Sequence, residues 1–264
     1  NNFTQTGTAL TQVNDRLNNT TSAISLNGDY LSRPNFSHNG HLTYSFWVKT
    51  NTDTFEYKTI IDDSQKNGGS NNFSGTQKGY SIMLYRGKII ADVRMQHRAR
   101  FTNAQAYSTT TATSGFIADG NWHHVVVRFQ GYRKSGTTNY YGLASIHIDG
   151  TLHEERDQLY GNAGTVPFFD VAGNKVVGNN KNNTINSNLK YNDAIDDILI
   201  YNRELTAQEI LNIRDVGGFC IAPSNSVVSS TTITETSIAL ATPATEHEVA
   251  YHKSSEPFSN ATII

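Results

Sequence analysis

Arg94, His97, Arg98 and Arg100 form the densest cationic cluster in a chain whose formal net charge is only −2. Guanidinium forks match carboxylate and sulfate groups with paired hydrogen bonds, so the cluster suits an anionic ligand. On a strand starting at Lys88, Arg94 lies with Asp92 and Gln96 on the face opposite Ala91, Val93 and Met95. Tyr85 and Tyr107, with Tyr132, Tyr140 and Tyr141, add rings that have an apolar body and a polar tip, the kind on which sugars stack. This set predicts an anionic-glycan site, for a uronate or sulfated chain. The alternative is a solvated sheet surface whose charges pair locally.

Other chemistry-bearing residues are arranged less well. His123-His124 and Asp62-Asp63 are adjacent, and neighbours on a strand point to opposite faces, so neither pair converges on one ligand. Cys220 is the one cysteine. It can form no disulfide within the chain and has no neighbouring His to act as base; it reads as a small buried hydrophobe. Nothing assembles a nucleophile, a base and an orienting group, so the chain is read as non-catalytic.

The elements that must position these residues are short and β-rich. Charged residues make up 17% of the 264 residues and hydrophobic ones 37%; the remaining polarity comes from Asn, Thr, Ser and Gly, which suits strands joined by polar turns. In His41–Lys49, Leu42, Tyr44, Phe46 and Val48 alternate with Thr43, Ser45, Trp47 and Lys49, predicting one core face and one polar face. Arg86-Gly87 reads as the tight turn of a hairpin. Thr206 and Glu209 form a capping box ahead of Ile210 and Ile213, which predicts the one helix. These patterns predict an all-β, two-sheet antiparallel jelly-roll sandwich with one short C-terminal helix and a small C-terminal β segment. The expected organisation is a polar lead-in over 1–22, the jelly roll over 23–216, a linker over 217–223 and a separate β segment over 224–264.

An ordered set of motifs resembles the laminin-G-like domains of the concanavalin A-like lectin/glucanase superfamily. The set is Asn27-Gly28-Asp29-Tyr30, Phe46-Trp47-Val48, Trp122-His123-His124-Val125, Ile148-Asp149-Gly150, Ile195-Asp196-Asp197 and Leu205-Thr206 followed by Glu209-Ile210. Thr232–Leu240 followed by Val249-Ala250-Tyr251 similarly resembles the first strands of a fibronectin type III domain, truncated at this length; the alternative is another β segment that pairs elsewhere. The first resemblance implies a structural Ca2+ where the opening corner meets the closing strand, with Asn27, Gly28, Asp29, Asp196 and Asp197 as ligands. Such oxygens suit calcium; the bland reading is that they cap turns. Hydrolytic relatives carry three carboxylates along one strand face. Here only Glu155 and Asp157 match, followed by Gln158, Leu159 and Tyr160, and the segment reads as solvated just past a turn. Lyase relatives use a spaced Gln-x-His, whereas Gln96-His97 is adjacent.

The resemblance therefore implies a recognition unit of a secreted or surface multidomain protein, binding polysaccharide, a cell-surface glycan or a protein. A structural spacer or protein-adhesion domain is the rival reading, and a divergent hydrolase or lyase a third. No nucleic-acid partner is expected at this net charge, and no membrane insertion without an apolar run of ~20 residues. The composition reads as extracellular or cell-surface. The chain opens at Asn1-Asn2-Phe3 without a leader-like segment and reads as a mature or excised piece.

Overall fold

The computed structural model describes residues 3–6, 10–34, 41–67, 76–94, 115–133, 135–136, 139–162, 174–179, 189–216 and 249–252. In the first half these form β1 (Thr4–Thr6), β2 (Thr11–Val13), β3 (Ala23–Ser25), β4 (Tyr30–Arg33), β5 (His41–Lys49), β6 (Lys58–Asn67), β7 (Thr76–Tyr85) and β8 (Lys88–Arg94). In the second half they form β9 (Trp122–Arg133), β10 (Asn139–Ile148), β11 (Thr151–Asn162), β12 (Lys175–Val177), β13 (Ala194–Tyr201), α1 (Ala207–Val216) and β14 (Val249–His252). Two antiparallel sheets result, ordered β1-β4-β12-β6-β7-β8 and β11-β10-β9-β5-β13-β3-β2, with β14 joined to β13. This is the expected jelly-roll sandwich.

The predicted inward row of β5, Leu42, Tyr44, Phe46 and Val48, is buried in the main core with Val125, Val127 and Phe129 of β9 and Ile82, Leu84, Ile89 and Ala91 of the β7–β8 hairpin. Burial of these side chains supplies the drive for closing one sheet on the other. The other face of β5 departs from expectation. Thr43 and Ser45 are buried as well, because α1 lies over that side. Val126, Leu199 and Tyr201 pack there with Leu205, Ile210 and Ile213 in a second core. Thr43 and Ser45 meet this burial with hydrogen bonds, Thr43 Oγ1 donating to the Arg203 carbonyl at 2.7 Å and Ser45 Oγ lying 2.8 Å from His124 Nε2.

The capping box forms as read. Glu209 N donates to Thr206 Oγ1 at 3.2 Å, and Thr206 N donates to Glu209 Oε2 at 2.7 Å. Arg203 forks onto the same carboxylate, 2.7 Å to Oε1 and 3.1 Å to Oε2. At the other end Arg214 sits in the last turn, where its charge favours the helix dipole. It donates to the Asp149 carbonyl at 2.6 Å, tying α1 to the β10–β11 turn.

Two expectations change. The polar lead-in supplies β1 and β2, one to each sheet; short polar edge strands carry too few residues to show a period. The fibronectin-like reading of 224–264 is not supported. Val249–His252, the part of it that is described, pairs with Ile198–Tyr201 and so extends the jelly-roll sheet. The linker and the rest of that segment lie outside the described residues.

If packing rather than capping holds α1 in place, Ile210→Ala should lower unfolding stability by about 2–4 kcal/mol. Thr206→Ala should cost only about 1 kcal/mol. Urea unfolding of the two variants checks the order.

Candidate functional site

One corner of the sandwich gathers exposed aromatic rings around the β7–β8 turn. Arg86 and Gly87 both take positive φ, 50° and 65°, as a two-residue hairpin of matching twist requires. Gly87 is needed for a second reason: a Cβ there would lie 2.3 Å from the Phe116 ring. The turn is held from both sides, Arg86 N donating to the Thr54 carbonyl at 3.0 Å and Ile117 N to the Gly87 carbonyl at 2.8 Å. Tyr57 and Tyr85, both half-buried, stack at 4.4 Å with 15° between planes. Arg86 holds its guanidinium carbon 4.6 Å from the centroid of Phe55. Phe55 is 76% exposed and Phe116 49%. Of these aromatic residues the sequence singles out only Tyr85. Phe55 and Tyr57 sit in a loop without period, so nothing marked them beyond being aromatic.

Of the other residues read as binding, the structure describes only some backbone positions. Tyr85 pairs with Lys88 and Arg94 with Gly79. The backbone of Arg94 therefore stands six residues along β8 from the position opposite Tyr85, roughly 20 Å away. Tyr132, Tyr140 and Tyr141 belong to β9 and β10 in the other sheet. The side chain of Arg94, and His97, Arg98, Arg100 and Tyr107 altogether, lie outside the described residues.

The five residues named for calcium occupy two separate places. Asn27 N donates to the Asn192 carbonyl, while Asp196 pairs with Trp47 on β5. The corner is therefore four residues along the strand from Asp196, about 13 Å. At the corner, the Gly28 carbonyl accepts from the Lys190 ammonium at 2.8 Å, and Asn27 Nδ2 donates to Thr11 Oγ1 at 2.8 Å. At the other place, Asp197 takes φ 45° in a bulge of β13 and faces Arg16 at 3.5 Å, with Arg16 stacked 4.6 Å over Trp47. Asp196 Oδ1 accepts from Asp197 N at 2.9 Å. The Gly28 carbonyl, Asp196 and Asp197 thus meet Lys190, a turn amide and Arg16, and at this separation the five residues do not surround one shared ion.

His123 and His124 point to opposite faces as predicted. His123 lies between two carboxylates, Nδ1 2.8 Å from Asp149 Oδ2 and Nε2 3.1 Å from Asp119 Oδ1. Burial alone would lower its pKa; the bonds to Asp149 and then Asp119 outweigh burial, and the pKa is raised. The two carboxylates sit at opposite edges of the ring, so they cannot join it around one ion. His124 N donates to Asp149 Oδ1 at 2.9 Å, and its own ring is buried against Trp47, 5.1 Å between centroids. Burial lowers its pKa to about 3. Among the described residues no group of three or more His, Cys, Asp or Glu side chains is placed to hold a metal.

Glu154, Glu155 and Asp157 lie in β11, not in a loop past a turn. Glu155 and Glu154 are engaged by Arg128 at 3.2 Å and Arg156 at 2.8 Å. The sandwich interior also holds charge that the sequence did not reveal. Arg33 and Lys175, 1% and 0% exposed, are buried with Asp63. Asp63 Oδ2 accepts from Lys175 Nζ and from Tyr44 OH. Burial first, then Asp63, pushes the Tyr44 pKa well up. Asp62, one residue earlier, faces the other way and accepts from Ser81 Oγ at 3.3 Å.

A family model described as Concanavalin A-like lectin/glucanases superfamily matches residues 19–211, most of the chain. No curated protein sequence matches it. Among solved structures it is similar to a Bacteroides ovatus protein proposed to bind carbohydrate, with 10% identity and TM-score 0.42 over 69% of this chain and 43% of that one. It is also similar to botulinum neurotoxin type C, whose cell entry depends on interaction with two ganglioside molecules, with 15% identity and TM-score 0.38 over 72% of this chain and 40% of that one. Similarity to Trypanosoma rangeli sialidase reaches 13% identity and TM-score 0.39 over 73% of this chain and 27% of that one. The chain spans less than half the length of each of these three.

The two histidines should give opposite pH signatures. The raised pKa of His123 adds stability that is full below the unfolded value of about 6.5 and is lost as pH rises through the folded value. The depressed pKa of His124 removes stability as pH falls below about 6.5, since only the unfolded chain takes up the proton. Relative to the wild type, His123→Gln should therefore steepen the loss of stability on acidification, and His124→Gln should soften it. Urea unfolding between pH 5 and pH 8.5 reads both signs.

Proposed function

The chain belongs to the Concanavalin A-like lectin/glucanases superfamily, and from that premise we propose that it recognises carbohydrate as a non-catalytic unit of a secreted or surface multidomain protein. The observation that carries the reading is the Tyr57–Tyr85 stack beside the exposed Phe55 and Phe116. Aromatic side chains are costly to leave in water, and a contiguous exposed group of them marks an interaction surface. Tyr combines a flat apolar face with a hydroxyl, which matches the apolar and polar sides of a pyranose. Backbone bonds on both sides of the turn hold the rings, so little ordering is required when a sugar arrives.

The Arg94, His97, Arg98 and Arg100 cluster, which begins in the chain where β8 ends, enters as a second contact region suited to anionic groups on an extended glycan. The corner at Asn27–Asp29 and the bulge at Asp196–Asp197 enter as turn-forming elements and not as calcium ligands, since their oxygens are met by Lys190, Arg16 and backbone amides. A spacer would carry an evenly polar surface, and the aromatic corner favours recognition over that rival. Catalysis draws no support from His123, Glu154 and Glu155, which are engaged in ion pairs. Sites of this open kind bind weakly one at a time and gain from repetition in a longer protein.

Tyr85→Ala should weaken the best glycan hit by about tenfold, or ~1.4 kcal/mol, at unchanged melting temperature. A glycan array followed by calorimetry measures it; undiminished binding removes the corner from the site. Replacing Arg94 and Arg98 together by Ala should lower affinity for acidic glycans and flatten its salt dependence.

A further inference from the structure

We infer that Arg86, held over Phe55 at the tip of the β7–β8 hairpin, reads an acidic group, carboxylate or sulfate, on the glycan that stacks at Tyr57 and Tyr85. This rests on the carbohydrate reading above and adds the ligand's charge and the side chain that meets it.

The backbone supplies the first reason. The first central position of such a turn is dominated by Gly, Asn and Asp, which tolerate positive φ. Arg86 occupies it at φ 50°. A long side chain held in a disfavoured conformation at an exposed tip points to a use for that side chain.

Its surroundings supply the second. The guanidinium carbon lies 4.6 Å from the Phe55 centroid. A guanidinium resting on an aromatic face stays charged and keeps in-plane N–H groups for a planar oxyanion, with fewer rotamers left to lose on binding. No acidic side chain among the described residues pairs with Arg86. Its loop neighbour Glu56 is engaged by Lys58 at 2.9 Å. Lys88, opposite Tyr85 in the ladder, adds a second positive charge beside the stack. The corner thus combines a ring surface for the sugar with net positive charge for its acid. The hydrogen bonds to Thr54 and from Ile117 fix the distance between the two.

The test uses the whole chain and matched glycan pairs: tetragalacturonate and its methyl ester, sialyllactose and lactose, and a chondroitin tetrasaccharide with and without sulfate. The expected result is at least tenfold tighter binding to the acidic member of one pair or more. The pair that responds tells carboxylate from sulfate. Arg86→Asn is the informative variant, because Asn suits the turn and should leave the melting temperature unchanged or raised. It should erase the preference for the acidic member while binding at the neutral level persists. Arg86→Lys, which keeps the charge and loses the fork, should retain part of the preference. Tyr85→Ala should weaken both members alike. Equal affinity of the wild type for both members of every pair overturns the role of Arg86 and leaves the carbohydrate reading standing. So does a preference that survives Arg86→Asn and is lost when Arg94 and Arg98 are replaced. Failure of the folded wild type to bind either member of any pair overturns both.

Discussion

Along the middle of β5, β9 and β13 the described residues of the eight-stranded sheet are buried on both faces, and much of the remaining structure follows from where the second buried face is found. One side packs on the other sheet. The other carries Val126, Leu199 and Tyr201 beneath α1. Polar residues on that side must then find partners inside the protein, because an unpaired buried polar group costs more than a typical hydrogen bond returns. Thr43 reaches the Arg203 carbonyl, Ser45 meets His124, and Arg128 spans Ser145, Glu155 and the Leu205 carbonyl. The helix is fixed at both ends by the same logic, through Glu209 with Arg203 at its start and Arg214 with Asp149 at its finish.

That constraint also explains the turn at Asp149-Gly150. Asp149 takes φ 52° and serves three partners at once: the His124 amide, the His123 ring and, through its carbonyl, Arg214. The adjacent histidines, which converge on no single ligand, are thus part of a clasp. It joins the start of β9, the β10–β11 turn and the end of α1. The carboxylates at opposite edges of the His123 ring suit a clasp and cannot surround an ion.

Features set by local chemistry were legible in the sequence. The inward row of β5 obeys the two-residue period, Arg86-Gly87 makes the turn its residues suggest, and Thr206 with Glu209 caps the helix three residues apart, where the box requires. Features set by register were not. Arg33 and Lys175 sit on short strands whose inward parity is decided by pairing with each other's strand and with β6. Nothing local announces that two cations and Asp63 will share an interior. The wet face assigned to β5 failed for a similar reason: alternation tells that two faces differ, not that a helix far along the chain will cover the polar one. The residues named for calcium are likewise arranged by register: Asn27 belongs to the first motif of the ordered set and Asp196 to the fifth, and they stand about 13 Å apart along the strand once β3 and β13 are aligned.

With both faces of the central strands occupied, ligand chemistry is pushed to the rim, where side chains extend from turns. Rims are ordinarily poor places for precise contacts, since loops are more mobile than the elements they join. Here the corner is tied down by backbone bonds to neighbouring segments and by Phe116 lying on Gly87, where no side chain fits. Tyr57 immediately precedes β6 and Tyr85 ends β7, so the stacking of their rings is set by the pairing of those two strands. A rim built this way has the order of the sandwich and the exposure of a loop, the combination a weak, repeated recognition site needs.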